Sequence, residues 1–265
     1  MNRLSRAVGA LLARYLNARA GGPYSHPAAD LNAMRELLQP ADVVLVEGDR
    51  RISGAIKYLT QSTWSHAALY VGERGGVDAE GRAHVLVEAD TERGVRAFPL
   101  EELEGYHLRI CRPVGLSPED ARRVIEYVLA RLGDRYDLKN VFDLARYLLP
   151  TPPVPMPWRR RMLALGSSDP TRAICSTLIA QAFQSVEFPI LPIISAEAAS
   201  MPDCQDCLRE IYHIRHHSLF VPRDFDVSPY FLVIKPSLSH VFDYHALAWA
   251  ESDRSQVQDA TNLST

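Results

Sequence analysis

Apolar positions along the chain alternate between short runs and helical spacing. After Pro40, Val43-Val44-Leu45-Val46 is an unbroken apolar run and predicts a buried strand. Gly48-Asp49 signals a turn, and Ile52–Leu59 predicts a short helix. Ser65-His66-Ala67-Ala68-Leu69-Tyr70-Val71-Gly72 predicts a second core strand. Residues 73–82 are polar, contain three glycines and read as a hairpin-like connection to a returning strand, His84–Ala89. Gly94–Phe98 and the alternating segment His107–Val114 predict two more strands. Strands in succession with short turns imply an antiparallel sheet.

Helical patterns then take over. Asp30 is placed to cap a helix ending near Leu38, and Ser117 caps a strong one over Pro118–Leu132, with Glu119 and Asp120 in its first turn. Asn140–Leu149 and Trp158–Leu165 read as helices on either side of Pro150–Pro157, whose five prolines demand an extended loop. Cys175–Val186 is a further helix, and Phe231–Ile234 a late strand. From Ser237 onward the chain is polar with scattered aromatics. The order of strands, then helices, then a closing strand predicts an α+β domain.

The first residues form a pattern of their own. Leu4, Val8, Leu11, Leu12, Tyr15 and Leu16 share one helical face, with Arg3, Arg6, Arg14 and Arg19 supplying charge, and no acidic residue precedes Asp30. Such a basic amphipathic helix either docks on the protein or a partner subunit, or lies on an anionic membrane surface. Arg14 interrupts its apolar run, so it fits a secretory leader poorly. The expected division is an N-terminal extension over 1–39, a catalytic domain over 40–236 and a tail over 237–265.

Composition adds limits. The 265 residues are 47% hydrophobic and 23% charged, with a net charge of −3, which is ordinary for a globular protein and exerts no global pull toward nucleic acid. Four cysteines do not make a disulfide framework. Cysteine usage and the lack of a clear leader point to the cytoplasm, with the basic helix offering contact to the inner membrane face. No run reaches the length of a spanning helix.

Among those cysteines, Cys175 stands at the start of a predicted helix, after the loop-like Asp169-Pro170-Thr171. Unsatisfied N–H groups and the positive end of the helix dipole favour the thiolate there and can hold an oxyanion beside it. A buried structural thiol is the competing reading. A thiol nucleophile needs an imidazole, and His66 opens a predicted strand. Glu88 lies near the end of the returning strand, at the same end of the hairpin as His66, where a carboxylate can orient the ring; Asp90 is the alternative.

Taken together, Ala41-Asp42-Val43-Val44-Leu45, Thr63-Trp64-Ser65-His66, Val85-Leu86-Val87-Glu88-Ala89 and Cys175-Ser176-Thr177-Leu178-Ile179 occur in that order. The order resembles the permuted papain-like amidases of the YiiX type in the NlpC superfamily, whose strand beginning Gly-Asp, Ser-His strand, Glu strand and Cys-Ser helix follow the same sequence. The resemblance implies a circularly permuted papain-like fold, an antiparallel sheet packed against the nucleophile helix, and catalysis by Cys175, His66 and Glu88. Ser65 and Ser176, beside the base and the nucleophile, are expected substrate contacts; Tyr136, in a Tyr-Asp turn that recurs in the family, is read as a core residue packed near the site, with substrate contact as the alternative. It further implies acyl-enzyme chemistry on an amide, ester or thioester bond of a peptide or lipid-linked substrate, with no cofactor and no metal. Val221–Phe225 and Ser228–Phe231 look like the closing region. Two departures stand out: Ala41 replaces the glycine of Gly-Asp, and Ile174 stands where relatives often carry an aromatic.

Two rivals are weighed. One is a binding module that keeps the fold without useful turnover. The other is a zinc-stabilised interaction protein using Cys204, Cys207, His213, His216 and His217, although their spacing departs from common zinc sites. Cys111, inside an alternating strand, reads as core, and Arg159-Arg160-Arg161 as a solvated helix face.

Overall fold

A computed structural model of the protein describes residues 18, 28–90, 93–134, 174–201 and 204–236. The first helix, α1, covers Leu31–Leu37, and the Asp30 side chain caps it by accepting from the Asn32 N–H. Strand β1 (Val43–Glu47) leads to α2 (Arg51–Thr60) and then to β2 (His66–Tyr70). Strands β3 (Leu86–Asp90), β4 (Gly94–Phe98) and β5 (His107–Pro113) follow. Helices α3 (Pro118–Leu129) and α4 (Ile174–Gln184) come next, then a ribbon of β6 (Ile193–Met201) and β7 (Cys204–His213). Helix α5 (Pro222–Val227) and strand β8 (Phe231–Ile234) close the described chain.

Six strands form one sheet in the order β4-β3-β2-β1-β5-β8, and every adjacent pair is antiparallel. This is the antiparallel, mixed α/β architecture expected from the sequence. β1 lies inside the sheet and is buried along its whole length, which is why it reads as a continuous apolar run instead of an alternating one. One face of the sheet, with Leu45, Ala67, Leu69, Val87 and Ala89, packs with Val124, Ile125 and Val128 of α3 and Leu178, Ile179, Ala182 and Phe183 of α4. The other face, with Val44, Val46, Ala68, Leu86 and Ile110, packs with Met34, Leu38, Phe98, Leu100 and Leu103. Helix α1, assigned by sequence to the N-terminal extension, thus shares the core of the sheet.

Phe231 of β8 meets Phe183, Phe188 and Phe225 edge-on, with ring centroids 5.3–5.6 Å apart. Such pairs are worth about 0.5–1.5 kcal/mol each beyond area burial, and here they fasten α4 and α5 to the last strand of the sheet.

Three differences from the sequence reading have physical causes. Helix α3 stops at Leu129 rather than Leu132, and its final turn is followed by Gly133 at φ 88°. The β6–β7 ribbon was not anticipated, because its Ala/Ser/Glu-rich first strand lacks apolar alternation and owes its form to cross-strand pairing. Ala41 adopts φ 70°, the left-handed region a glycine occupies at no cost, so the turn before β1 keeps a glycine-like backbone with an alanine in it. Behind that turn, Asp42 accepts two hydrogen bonds from Arg112, at 2.9 and 2.8 Å, and one from the Gln39 N–H at 2.8 Å. The predicted helices over 140–149 and 158–165, the proline loop, the first basic helix and the tail lie outside the described residues.

Candidate active site

Strands β2 and β3 pair only at Leu69↔Val87 and Tyr70↔Leu86 and part beyond that point. Along β2 the backbone alternates: the Tyr70 N–H reaches Asp42 on the β1 side, and the Val71 N–H reaches Val85 on the β3 side. Ala67 therefore faces the β3 side, where the ladder has ended, and its N–H donates instead to the sulfur of Cys175. The parting of the two strands seats the tip of α4.

Cys175 is the second residue of α4 and only 4% exposed. His66, the first residue of β2, hydrogen-bonds it. The Nε2 of the same imidazole lies 2.5 Å from Oε2 of Glu88, which leaves Nδ1 as the nitrogen available to the sulfur. The His66 side chain is 27% exposed and that of Glu88 only 7%. Thiol, imidazole and carboxylate thus form one connected series, and the side that meets solvent is the histidine.

The electrostatics follow from this packing. Burial pushes the Cys175 thiol up, but the His66 charge, its hydrogen bond and the Ala67 N–H together bring it below the usual thiol value. Burial disfavours the charged form of His66, yet Cys175 and Glu88 on its two sides hold its pKa well above the ordinary histidine value. Burial also opposes ionisation of Glu88, and is overcome by His66 and Arg96, which lower it to about 2. All three directions favour a thiolate–imidazolium pair beside an ionised carboxylate.

Other residues singled out in the sequence occupy supporting places. Ser65, expected to contact substrate, is 2% exposed, and its hydroxyl accepts from the Gly48 N–H at 2.9 Å. A Cβ at Gly48 would crowd the Ser53 and Ser65 hydroxyls, so a side chain there would turn Ser65 out of its bond with the Gly48 N–H. Ser176 is fully buried with its Oγ 3.9 Å from Cys175 Sγ. Asp90 accepts from the Arg93 N–H at 2.8 Å and closes the β3–β4 turn, while Glu88 is the carboxylate at the ring. Tyr136 lies outside the described residues. Cys111 is buried in the core, as expected. His213 is bonded to Ser195 and His216 to Ser218. Among the described residues no group of three or more His, Cys, Asp or Glu side chains is placed to hold a metal ion.

Two features escaped the sequence reading. Arg96, directly across β3–β4 from Glu88, donates from Nε to Glu88 Oε1 at 2.7 Å. Asp226 of α5 accepts from Trp64 Nε1 at 3.1 Å and from Arg109 Nη1 at 2.6 Å. Trp64 also stacks on His107 at 5.2 Å and lies under the Arg109 guanidinium at 4.8 Å, so the segment just before His66 is anchored on three sides. A signal for Arg96 existed in the short turn between the two strands, which sets it opposite Glu88. None pointed to Asp226.

Comparison with known families bears on this site. Residues 37–147 match the family model described as permuted papain-like amidase enzyme, YaeF/YiiX, C92 family. This segment carries the YiiX-type pattern. The match includes His66 and Glu88 and stops short of Cys175. The YiiX-type family is one of papain-like amidases, which supports a cysteine hydrolase as the general class. Among solved structures, a match is to the crystal structure of metalloprotein yiiX from Escherichia coli O157:H7, DUF1105, at 17% identity and a TM-score of 0.40, covering 74% of this chain and 96% of that one. The chain is also similar, at 29% identity over 136 residues, to the Holliday junction branch migration complex subunit RuvB of Gluconobacter oxydans (strain 621H). That similarity takes in 49% of this chain and 38% of the length of that protein.

Proposed function

We propose that this chain is a cysteine-dependent hydrolase that opens an amide bond through an acyl-enzyme, with Cys175 as nucleophile, His66 as base and acid, and Glu88 orienting the ring. The scaffold on this reading is a circularly permuted papain-like one, in which the histidine and acid strands precede the nucleophile helix. The observation that carries the reading is the unbroken series of Cys175, His66 and Glu88, with the last two 2.5 Å apart and the thiol held below its usual proton affinity.

In the first half-reaction the Cys175 thiolate adds to the carbonyl carbon, and the π electrons move to oxygen. The Cys175 N–H, in the first turn of α4, stabilises that oxyanion. The His66 imidazolium gives its proton to the leaving nitrogen as the C–N bond breaks, and a thioester remains. In the second half-reaction water adds to the thioester while His66 takes one of its protons. Collapse then releases the carboxylic acid and restores thiolate and imidazolium. Esters and thioesters follow the same course, and an acceptor other than water would make the reaction an acyl transfer.

The substrate on this reading is a peptide or a lipid-linked acyl group. The run of Arg3, Arg6, Arg14 and Arg19 with no acidic residue before Asp30 favours an acyl group presented at an anionic membrane surface. The reading is tested by screening amide, ester and thioester acyl donors against the full chain, with Cys175→Ala as control. Turnover that disappears in Cys175→Ala supports it. Turnover that survives overturns the assignment of Cys175 as nucleophile, and a protein inert toward every donor whose Cys175 also reacts like a free thiol overturns the reading and favours the binding module.

A further inference from the structure

The guanidinium of Arg96 is held on both edges. Its Nε donates to Glu88 Oε1 at 2.7 Å, and its Nη1 and Nη2 form a fork onto Glu102 at 3.0 and 2.7 Å. The plane of the group lies over the Phe98 ring, 4.7 Å from its centroid. Glu88 and Arg96 are register partners on neighbouring strands, so backbone pairing already sets the distance between them. Glu102 sits in the short 3-10 turn Leu100–Leu103, whose Leu100 and Leu103 are buried in the second core. The histidine reaches the other oxygen of the carboxylate, Oε2.

We propose that Arg96 is a positioning residue for the catalytic series, fixing one oxygen of Glu88 so that the other points at His66, with Glu102 bracing the far edge of the guanidinium. The proposal rests on the assignment of Cys175, His66 and Glu88 made above. A carboxylate bonded only to the imidazole is free to rotate about its last bond and to present either oxygen. Bonded at Oε1 to a planar donor that is itself clamped, it has one orientation. The positive charge also keeps the proton on the ring instead of on the carboxylate, so Glu88 acts as a fixed anion beneath the imidazolium. Glu102 limits how far Arg96 drains that anion, because the guanidinium is shared between two carboxylates.

The test alkylates the full chain with iodoacetamide and reads Cys175 by peptide mass spectrometry across pH, since thiolate fraction sets the rate. Wild-type Cys175 is expected to react below the ordinary thiol range. Arg96→Met slows labelling near pH 6 by about tenfold, the factor that accompanies a thiol proton affinity tenfold higher. Arg96→Lys, which keeps the charge without the fork, recovers part of that loss. On a Glu88→Gln background, Arg96→Met changes the rate by less than about twofold, because a residue that works only through Glu88 has nothing left to position. A merely structural arginine would instead add its full effect there. An unaltered pH profile in Arg96→Met, or full additivity with Glu88→Gln, overturns the role. If Arg96→Met does not fold, Arg96→Lys decides: an unaltered profile overturns the role and an upward-shifted one supports it. An ordinary thiol profile in the wild type that His66→Ala leaves unchanged overturns the Cys175–His66 assignment itself, and the Arg96 role falls with it.

Discussion

His66 and Glu88 meet at 2.5 Å although β2 and β3 have already stopped pairing where the two residues sit. The contact is made by side chains across an opening in the sheet, and backbone hydrogen bonds do not enforce it. Its strength rests on charge, which makes it sensitive to substitution and to pH.

Glu88→Gln keeps the size of the side chain and an acceptor oxygen but removes the charge. Turnover is expected to fall by about a hundredfold or more, as when a positioned acid–base pair loses its support. The variant should still fold, but with a lower melting temperature, because the charge that His66 and Arg96 stabilise on folding is gone. Unchanged turnover in a folded variant would transfer the orienting role elsewhere.

Stability should depend on acid through the same residue. The Glu88 carboxyl is lowered from 4.5 to about 2 on folding, so its contribution is complete above about pH 4.5 and is lost as pH falls toward 2. Denaturant midpoints measured over that window should slope less steeply with pH in Glu88→Gln than in the wild type. Parallel slopes would contradict the assignment.

Two buried cysteines should behave in opposite ways. Burial in the core, with Asp226 next in importance, pushes the Cys111 thiol far up, whereas Cys175 is brought below its usual value by His66 despite its own burial. Native protein near neutral pH should label at Cys175 and leave Cys111 intact, and His66→Ala should slow Cys175 to the rate of an ordinary or buried thiol. The reactive window runs from the lowered thiol value up to the raised histidine value, so activity should rise on the acid side with Cys175 and fall on the alkaline side with His66.

Asp226→Ala strips partners from both Trp64 and Arg109. Leaving such buried or half-buried donors unpaired costs about 1–3 kcal/mol, readable as a lower urea midpoint. Cys175 labelling should also weaken, because the segment carrying Trp64 leads directly into His66. Full stability in this variant would show that the anchor is dispensable.

The legible parts of this protein were those written locally. Ser117, proline at the first helical position and two acids announce the start of α3 to the residue, and Gly94–Phe98 and Phe231–Ile234 appear as strands where they were expected. The end of α3 was harder, because no breaker occurs between Leu129 and Gly133. Candidate chemistry was legible because the thiol and the imidazole stand at the start of elements of clear pattern and the acid lies on the strand that returns beside the imidazole. The surroundings were not. Arg109 and Asp226 are 117 residues apart and meet only after β5 and α5 have packed, and no periodicity encodes that meeting. Ser65 beside His66 looked like a substrate contact because adjacency in sequence says nothing about which side of a strand meets solvent.

The Ala67 amide, released from the ladder and turned toward sulfur, gives the protein a built-in reporter. Its proton resonance should move as the neighbouring sulfur gains or loses charge or becomes acylated, and its exchange with solvent should track how firmly the tip of α4 stays seated. One backbone nucleus would thus register the occupancy of the site without any label, and before a natural substrate is in hand.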